Sequence, residues 1–384
     1  MRYRNFKGDK IFNGQTFSNA HVLVVREDGV IEDLIAEENV QGDVETFEGT
    51  LMPGLINCHC HLELSHLKDV IPPGTGLVPF LISMVTKRAA DETTKQEKIA
   101  LAERELFQNA IVAVADICNT ADAVAVKKTS SIYWYNLIEV LNLRDANLTA
   151  ALANYEAVLQ QHTNAGLAAT LTPHAPYTVS NATFTELNNR TAGKVISVHN
   201  SETISEDELF KTGGGDFLNL YKQFGINVSP FAVSGKSSLQ TWLPHFTNGQ
   251  TILLVHNTFM SEADIVFAKT HAAQYNLKLI YCLCPNANLY IENKLPPVDL
   301  FIKHDCHIVI GTDSYSSNWQ LNIMSEIKTL RDHFPHLKLE TLLRWATGNA
   351  TSIWGFEKLG RFEKGLQPGV VLLNESDFSV RRIL

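Results

Sequence analysis

Eight short runs rich in β-branched and apolar residues recur along the chain, at 55–60, 111–117, 132–140, 168–173, 195–199, 251–256, 278–283 and 307–312, and most end in polar residues. Between them lie stretches with helical periodicity, among them 92–108, 147–162, 261–275 and 322–333. Strands alternating with helices predict an α/β protein with a parallel sheet. Eight such units predict closure into a (β/α)₈ TIM barrel rather than an open sheet, and the span from His59 to Asp313 matches the roughly 250 residues of such a barrel. The rest falls at the two ends. Residues 1–50 read as short strands with turn signals at Glu27-Asp28-Gly29 and Gly42-Asp43. Residues 356–384 carry Gly360, Gly365, Pro368-Gly369 and a β-like run at 370–373. Neither end buries a core alone. The expected organisation is a small β-sandwich from residues 1–50 plus 356–384 beside a barrel of residues 51–355.

Composition narrows the class without naming it. Hydrophobic residues make up 45% and charged residues 19% of 384, which is ordinary for a globular chain with a large core. The formal net charge of −9 argues against nucleic acid or an anionic membrane as the main partner and says little about a small substrate. Residues 1–17 interleave Arg2, Arg4, Lys7 and Lys10 with short apolar pieces, unlike a signal peptide. The longest apolar runs, such as 111–115 and 252–255, are too short to span a bilayer. A soluble, cytoplasmic protein is expected. The six cysteines do not suggest a disulfide framework in so long a chain. Cys282 and Cys284 share one face of a run but lack the Cys-x-x-Cys reach of a thiolate metal site, so packed, reduced thiols are expected.

The polar residues that close the runs carry the candidate chemistry. His59 and His61 flank Cys60 at the end of the first run, and alternation turns both to one side. Alone, His-x-His is a weak signal. Run five ends in His199, run six in His256 and run eight in Gly311-Thr312-Asp313. Barrel enzymes gather catalytic groups at the C-terminal ends of different strands, so the four endings read together as a metal site. Three histidines and a carboxylate leave a position for water and suit one divalent ion, Zn²⁺ or Fe²⁺, able to lower the pKa of that water. No lysine ends run four, so no carbamylated lysine bridging two metals is expected. There is no His-Glu-x-x-His, and His61-Leu62-Glu63 is followed by no Pro-Cys-x-x-Cys. Phosphate-binding and Gly-x-Ser-x-Gly motifs are also missing, and Gly213-Gly214-Gly215 reads as a loop tip.

Glu202 stands three residues after His199. It is placed either to shuttle protons or to sit as an acid at the N-terminus of the next helix, and position alone does not choose. His174, held between prolines in Thr172-Pro173-His174-Ala175-Pro176-Tyr177, is expected to touch substrate. Glu63, Ser65 and His66 follow the first histidine pair and are expected near the same pocket, with Trp319 as a stacking partner. Ser65 reads equally as a turn residue.

At these residues the chain resembles the amidohydrolase superfamily, in the branch of cytosine, guanine, S-adenosylhomocysteine and aminofutalosine deaminases and the triazine chlorohydrolases. The matching text is Met52-Pro53-Gly54-Leu55-Ile56-Asn57-Cys58-His59-Cys60-His61-Leu62-Glu63-Leu64-Ser65, the His174 run above, Val198-His199-Asn200-Ser201-Glu202-Thr203, Val255-His256-Asn257, Cys284-Pro285-Asn286-Ala287-Asn288 and Gly311-Thr312-Asp313-Ser314. The resemblance implies a distorted barrel with a split β-sandwich from both termini. It implies one metal on His59, His61, His199 and Asp313, proton transfer by Glu202, support of the water or substrate by His256, and a homodimer. Two departures stand out: Cys60 replaces a small or hydroxylated residue, and Gly369-Val370-Val371-Leu372 lacks the usual Ala-Asp pair. The expected activity is hydrolytic deamination of an aminated purine nucleoside, of the aminofutalosine or S-adenosylhomocysteine/adenosine type. The alternatives are a chlorohydrolase, a cyclic-amide hydrolase and an inactive scaffold.

Overall fold

Runs of Val, Ile and Leu become strands here, the central ones buried on both faces, and the helical stretches return the chain between them. A computed structural model describes residues 2–19, 21–227, 233–354 and 358–384. Five strands come first: β1 (Tyr3–Phe12), β2 (Phe17–Ser18), β3 (His21–Arg26), β4 (Ile31–Ala36) and β5 (Val44–Met52). Eight follow: β6 (Leu55–Cys60), β7 (Ile111–Cys118), β8 (Tyr133–Val140), β9 (Ala168–Pro173), β10 (Val195–Asn200), β11 (Thr251–His256), β12 (Lys278–Leu283) and β13 (Ile308–Ile310). The chain ends in β14 (Val371–Leu373) and β15 (Val380–Arg382).

All eight expected central runs are strands. They form two parallel four-stranded sheets, β6 to β9 and β10 to β13, each in sequence order. Backbone bonds link their edges. The N–H groups of Thr312 and Asp313, just after β13, each donate to the carbonyl of His59 in β6 at 3.0 Å, and His199 N in β10 donates to the carbonyl of His174, just after β9, at 3.0 Å. One apolar cluster draws on both sheets, with Ile56, Cys58, Ala113 and Ala115 meeting Leu253, Val255, Cys282 and Val309. The alternate residues of β11, Ile252 and Leu254, pack instead with Ile265, Ala268 and Ala272 of the helix Glu262–Tyr275. Ser261 caps that helix and Asn322 caps Ile323–His333. None of the six cysteines forms a disulfide, and five are buried. Among the described residues no helix is long and apolar enough to cross a membrane.

The two termini join, as a single seven-stranded sheet in the order β15-β14-β5-β1-β3-β4 with β2 on β1. β14 pairs antiparallel with β5, and Phe6, Ile11, Leu23, Val25, Leu51, Phe362 and Val370 form its own apolar cluster. The expected division after residue 355 lies outside the described residues. Several elements escape the sequence pattern, among them β15 and the helix Leu77–Lys87, which buries Leu77, Val78 and Phe80. The glycine run ends a helix, with Gly213 at φ 74 capping Ile204–Thr212.

A buried ion pair fixes the loop beyond the first histidine pair. Lys127, from the helix Val124–Thr129, pairs with Asp116 of β7, both side chains wholly buried. Lys127 Nζ also donates to Asn136 Oδ1 at 2.7 Å, and Asp116 Oδ1 accepts from Leu62 N at 2.8 Å, directly after His61. Burial opposes the ammonium charge, but Asp116 and Cys118 outweigh it and hold the Lys127 pKa above its ordinary value. Lys127→Met leaves the Asp116 carboxylate buried without its counter-charge, so urea unfolding is expected to show a loss of about 3–5 kcal/mol. A loss within experimental error of zero would mean that Asp116 is satisfied without the lysine.

Candidate metal centre and cleft

Each candidate ligand sits where a strand stops. His59 lies near the end of β6 and His61 just follows it, and alternation brings their Nε2 atoms to 3.2 Å. His199 in β10 places its Nε2 3.4 Å from that of His61. Asp313 Oδ1 lies 3.5 Å from His59 Nε2 and 3.3 Å from His61 Nε2, while its Oδ2 accepts from Ser317 Oγ at 2.6 Å. His256 closes β11 with its ring centroid 5.7 Å from His59 and 5.5 Å from His199. All five side chains are buried.

The backbone is strained at this point. His256, Asn257 and Asp313 have φ of 70°, 58° and 59°. Left-handed φ in non-glycine residues costs on the order of 1–3 kcal/mol each and persists only where the surroundings enforce it. A chain of bonds enforces the first two: Trp242 Nε1 to Asn200 Oδ1 at 3.1 Å, Asn200 Nδ2 to Asn257 Oδ1 at 3.0 Å, and Asn257 Nδ2 to Leu254 O at 2.7 Å.

The hydrogen bonds assign the nitrogens. His199 Nδ1–H donates to the His174 carbonyl at 2.9 Å, which leaves its Nε2 lone pair facing His61. Among the described residues His59 Nδ1 and both ring nitrogens of His256 have no hydrogen-bond partner. Facing lone pairs repel unless a proton or a cation sits among them. Protons do not serve near neutrality: burial holds His61 well below the ordinary imidazole value, and pushes His199 down to about 3 and His256 down to about 4. For Asp313 burial works against the charge, but the hydrogen bond from His59 and the nearby His61 and His256 hold the carboxyl well below the usual range. Neutral imidazoles around an ionised carboxylate are the donor set that a borderline divalent cation takes.

Glu202 faces this cluster, its Oε1 3.6 Å from His256 Nε2. It does not cap the next helix, which begins at Ile204 after Thr203 and has Glu206 and Asp207 as its first-turn acids. Burial, and after it the carboxylates of Asp313 and Glu206, push the Glu202 pKa well above the usual value. Glu206, itself pushed up to about 7 by burial, accepts from Ser201 N at 3.1 Å and Glu202 N at 3.2 Å and so fixes the turn that carries Glu202.

These groups open into a cleft of about 290 Å³. His61, His174, His199, Glu202, His256 and Asp313 supply its polar part, and Leu77, Phe80, Leu81, Met84, Leu220 and Phe224 an apolar wall. His174 lines it, bonded through Nδ1 to Thr178 Oγ1 at 2.7 Å, and burial pushes its pKa down to about 3. The structure places the other expected substrate contacts elsewhere. Glu63 does not line the cleft; its carboxylate is taken by Arg88 Nη2 at 2.6 Å and by Asn119 N and Thr120 N at 3.1 and 2.9 Å. Ser65 Oγ closes its own turn on Leu62 O at 2.7 Å, the turn reading, and His66 Nε2 meets Arg88 O at 3.0 Å beside a neighbouring hollow. Trp319 is 48% exposed and packs on Tyr290 outside the cleft. Sequence reasoning missed Arg88, Asn119 and Glu139, which do line it. Of these Glu139 left a signal, an acid inside the apolar end of β8.

Residues 50–381 match the model of the amidohydrolase family, a span that includes every residue of the cluster. An aminodeoxyfutalosine deaminase from a Nitratiruptor species is 26% identical over 325 residues, covering 82% of this chain and 75% of the relative. The solved aminofutalosine deaminase of Helicobacter pylori, in complex with methylthio-coformycin, aligns with a TM-score of 0.83 at 21% identity, covering 97% of this chain and 93% of that one. An adenosine deaminase from Xanthomonas campestris with bound zinc aligns at 0.75 and 20% identity, covering 97% and 84%. The likeness to the two structures is one of fold. With most of its length matched by the family model, the chain belongs to the amidohydrolase family.

Proposed function

We propose that the protein is a metal-dependent hydrolytic deaminase of an aminated purine nucleoside, with aminofutalosine the leading candidate. The observation that carries this reading is the cluster of His59, His61, His199 and Asp313 beside the buried Glu202, at a cleft that all of them but His59 line. The activities named for the relatives support the substrate class. In this reading the three histidines and Asp313 hold one divalent cation, Zn²⁺ first and Fe²⁺ as the alternative, and the zinc in the Xanthomonas protein supports that order. When bound, the cation supplies the Lewis acidity that makes water a nucleophile near neutral pH.

The protein's own groups do the proton work. Glu202, kept protonated by burial, gives its proton to the ring nitrogen beside the carbon that bears the amine. It then takes a proton from the attacking water and passes it to the departing amine, which leaves as ammonia, and the proton left on the added hydroxyl returns to Glu202 as the ring carbonyl forms. His256, neutral and 3.6 Å from Glu202, orients that water through a free ring nitrogen. Asp313, whose carboxyl pKa lies well below the usual range, stays ionised throughout. We also infer that β6–β13 close into one (β/α)₈ barrel, which the bonds at both seams support. The chain would then divide into a barrel of residues 51–355 and a β unit of residues 1–50 plus 356–384.

An ammonia-release screen with adenosine, S-adenosylhomocysteine, methylthioadenosine, aminofutalosine, guanine and cytosine tests the substrate class. Release from nucleosides is expected; activity confined to free bases, or chloride release from a chlorotriazine alone, would overturn it. Elemental analysis should find about one divalent ion per chain, and less in His199→Ala or Asp313→Ala. Two tightly held ions would defeat the mononuclear assignment. Glu202→Gln should keep its metal and lose turnover by roughly 10²–10⁴-fold. Near wild-type turnover in the loaded variant rules out the proton role.

A further inference from the structure

Near the end of β8, in Asn136-Leu137-Ile138-Glu139-Val140, one acid stands in an otherwise apolar run. Glu139 is 3% exposed yet lines the cleft. Its two oxygens differ in their surroundings. Oε2 accepts from Asn119 Nδ2 at 2.8 Å, Asn119 Oδ1 accepts from Arg88 at 3.2 Å, and Arg88 reaches Glu63 at 2.6 Å. This relay orients the carboxyl group. Among the described residues Oε1 has no hydrogen-bond partner; it lies 3.6 Å from His199 Nδ1 and 4.0 Å from His174 Nε2.

Neither imidazole fills that need. The Nδ1–H of His199 is given to the His174 carbonyl at 2.9 Å. His174 Nδ1 meets Thr178 Oγ1 at 2.7 Å, and that hydroxyl gives its own hydrogen to Ala175 O at 3.0 Å. With the Thr178 hydrogen assigned to Ala175 O, the imidazole proton of His174 sits on Nδ1 and Nε2 is an acceptor. Two acceptors on one cleft, 4.0 Å apart, have no donor between them. Buried acceptors call for donors, so the cleft is built to receive a hydrogen-bond donor here.

We propose that Glu139, with His174 beside it, anchors a sugar hydroxyl of the substrate through this free oxygen. The proposal rests on the purine-nucleoside reading above. The amine to be lost must face His59, His61, Asp313 and Glu202. Glu139 lies at the other edge of the His199 ring, beside Nδ1 rather than the Nε2 that faces His61. A donor met there belongs to a part of the substrate remote from the reacting carbon. A 6-aminopurine has no N–H besides its amine once the ring is glycosylated, so the remote donors of adenosine and aminofutalosine are their sugar hydroxyls.

The test uses the metal-loaded protein and purine riboside, which has no amine to lose. Calorimetric titration compares it with its 2′-deoxy and 3′-deoxy forms. Wild type should bind the riboside on the order of 10–100-fold more tightly than at least one deoxy form, as expected for a hydrogen bond to a charged group. Glu139→Gln keeps the shape and should lose most of that preference; Glu139→Leu should lose all of it, with affinity for the deoxy form little changed. Equal binding of the three ligands by wild type, or a full preference in both variants, overturns the anchoring role and leaves the nucleoside reading standing. A second divalent ion per chain that disappears in Glu139→Gln also overturns it, because the pair would then be holding a cation. Failure of wild type to bind any purine nucleoside, with no ammonia released in the screen, overturns the nucleoside reading and this inference together.

Discussion

The carbonyl oxygen of His59 accepts two backbone N–H groups, those of Thr312 and Asp313, each at 3.0 Å. Most of the site depends on that convergence. It ties the last strand of one parallel sheet to the first strand of the other, and it fixes His59 and Asp313 by their main chains before their side chains are considered. The approach is close enough to exclude a side chain at Gly311, where an added Cβ would stand 2.7 Å from His59 Cβ. Asn57 reinforces the seam, its Nδ2 donating to Thr312 Oγ1 at 2.8 Å. The left-handed φ of Asp313 is the local cost of turning its carboxylate back toward the imidazoles.

Around that seam the protein gathers four carboxyl groups out of water and gives each a different environment. Asp313 is surrounded by imidazoles and stays ionised. Glu206 accepts two backbone N–H groups and serves as a brace. Glu202 has acids for neighbours and little water, so it favours its neutral form. Glu139 is satisfied on one oxygen only. Their chemistry differs although three of the four are the same residue type, because burial, neighbouring charge and hydrogen bonding act on each in different proportion.

Much of this was legible in the sequence. Period-two alternation places His59 and His61 together whatever surrounds them, and a polar residue at the end of a parallel strand has few places to point. Four strand endings could therefore be combined without knowing a contact. Residues on turns were not readable in that way. Glu63 follows the histidine pair by two positions, but the 3-10 turn Leu62–Leu67 sends its carboxylate to Arg88 instead of the cleft. Trp319 lies close to Asp313 in sequence and still packs outward on Tyr290. Glu139 escapes that logic because its run ends in Val140; the informative feature is a lone acid among apolar neighbours, whose burial must have a reason.

The uneven legibility follows from where the two sides of the cleft come from. Its polar side is built from strand ends, which repeat with the fold and are locked by ladder hydrogen bonds. Its apolar wall comes from the helix Leu77–Lys87 and from Leu220 and Phe224 in and after the helix Phe217–Gln223, segments inserted between strands. Leu, Phe and Met in such a helix are chosen for volume and lack of charge, and many sequences meet that demand equally well. A strand end that must present an imidazole nitrogen to within 3.4 Å of another admits almost no alternative. Reaction class is thus written in residue identity, whereas the shape of the substrate's outer half is written in how the apolar helices pack, which sequence spacing does not disclose.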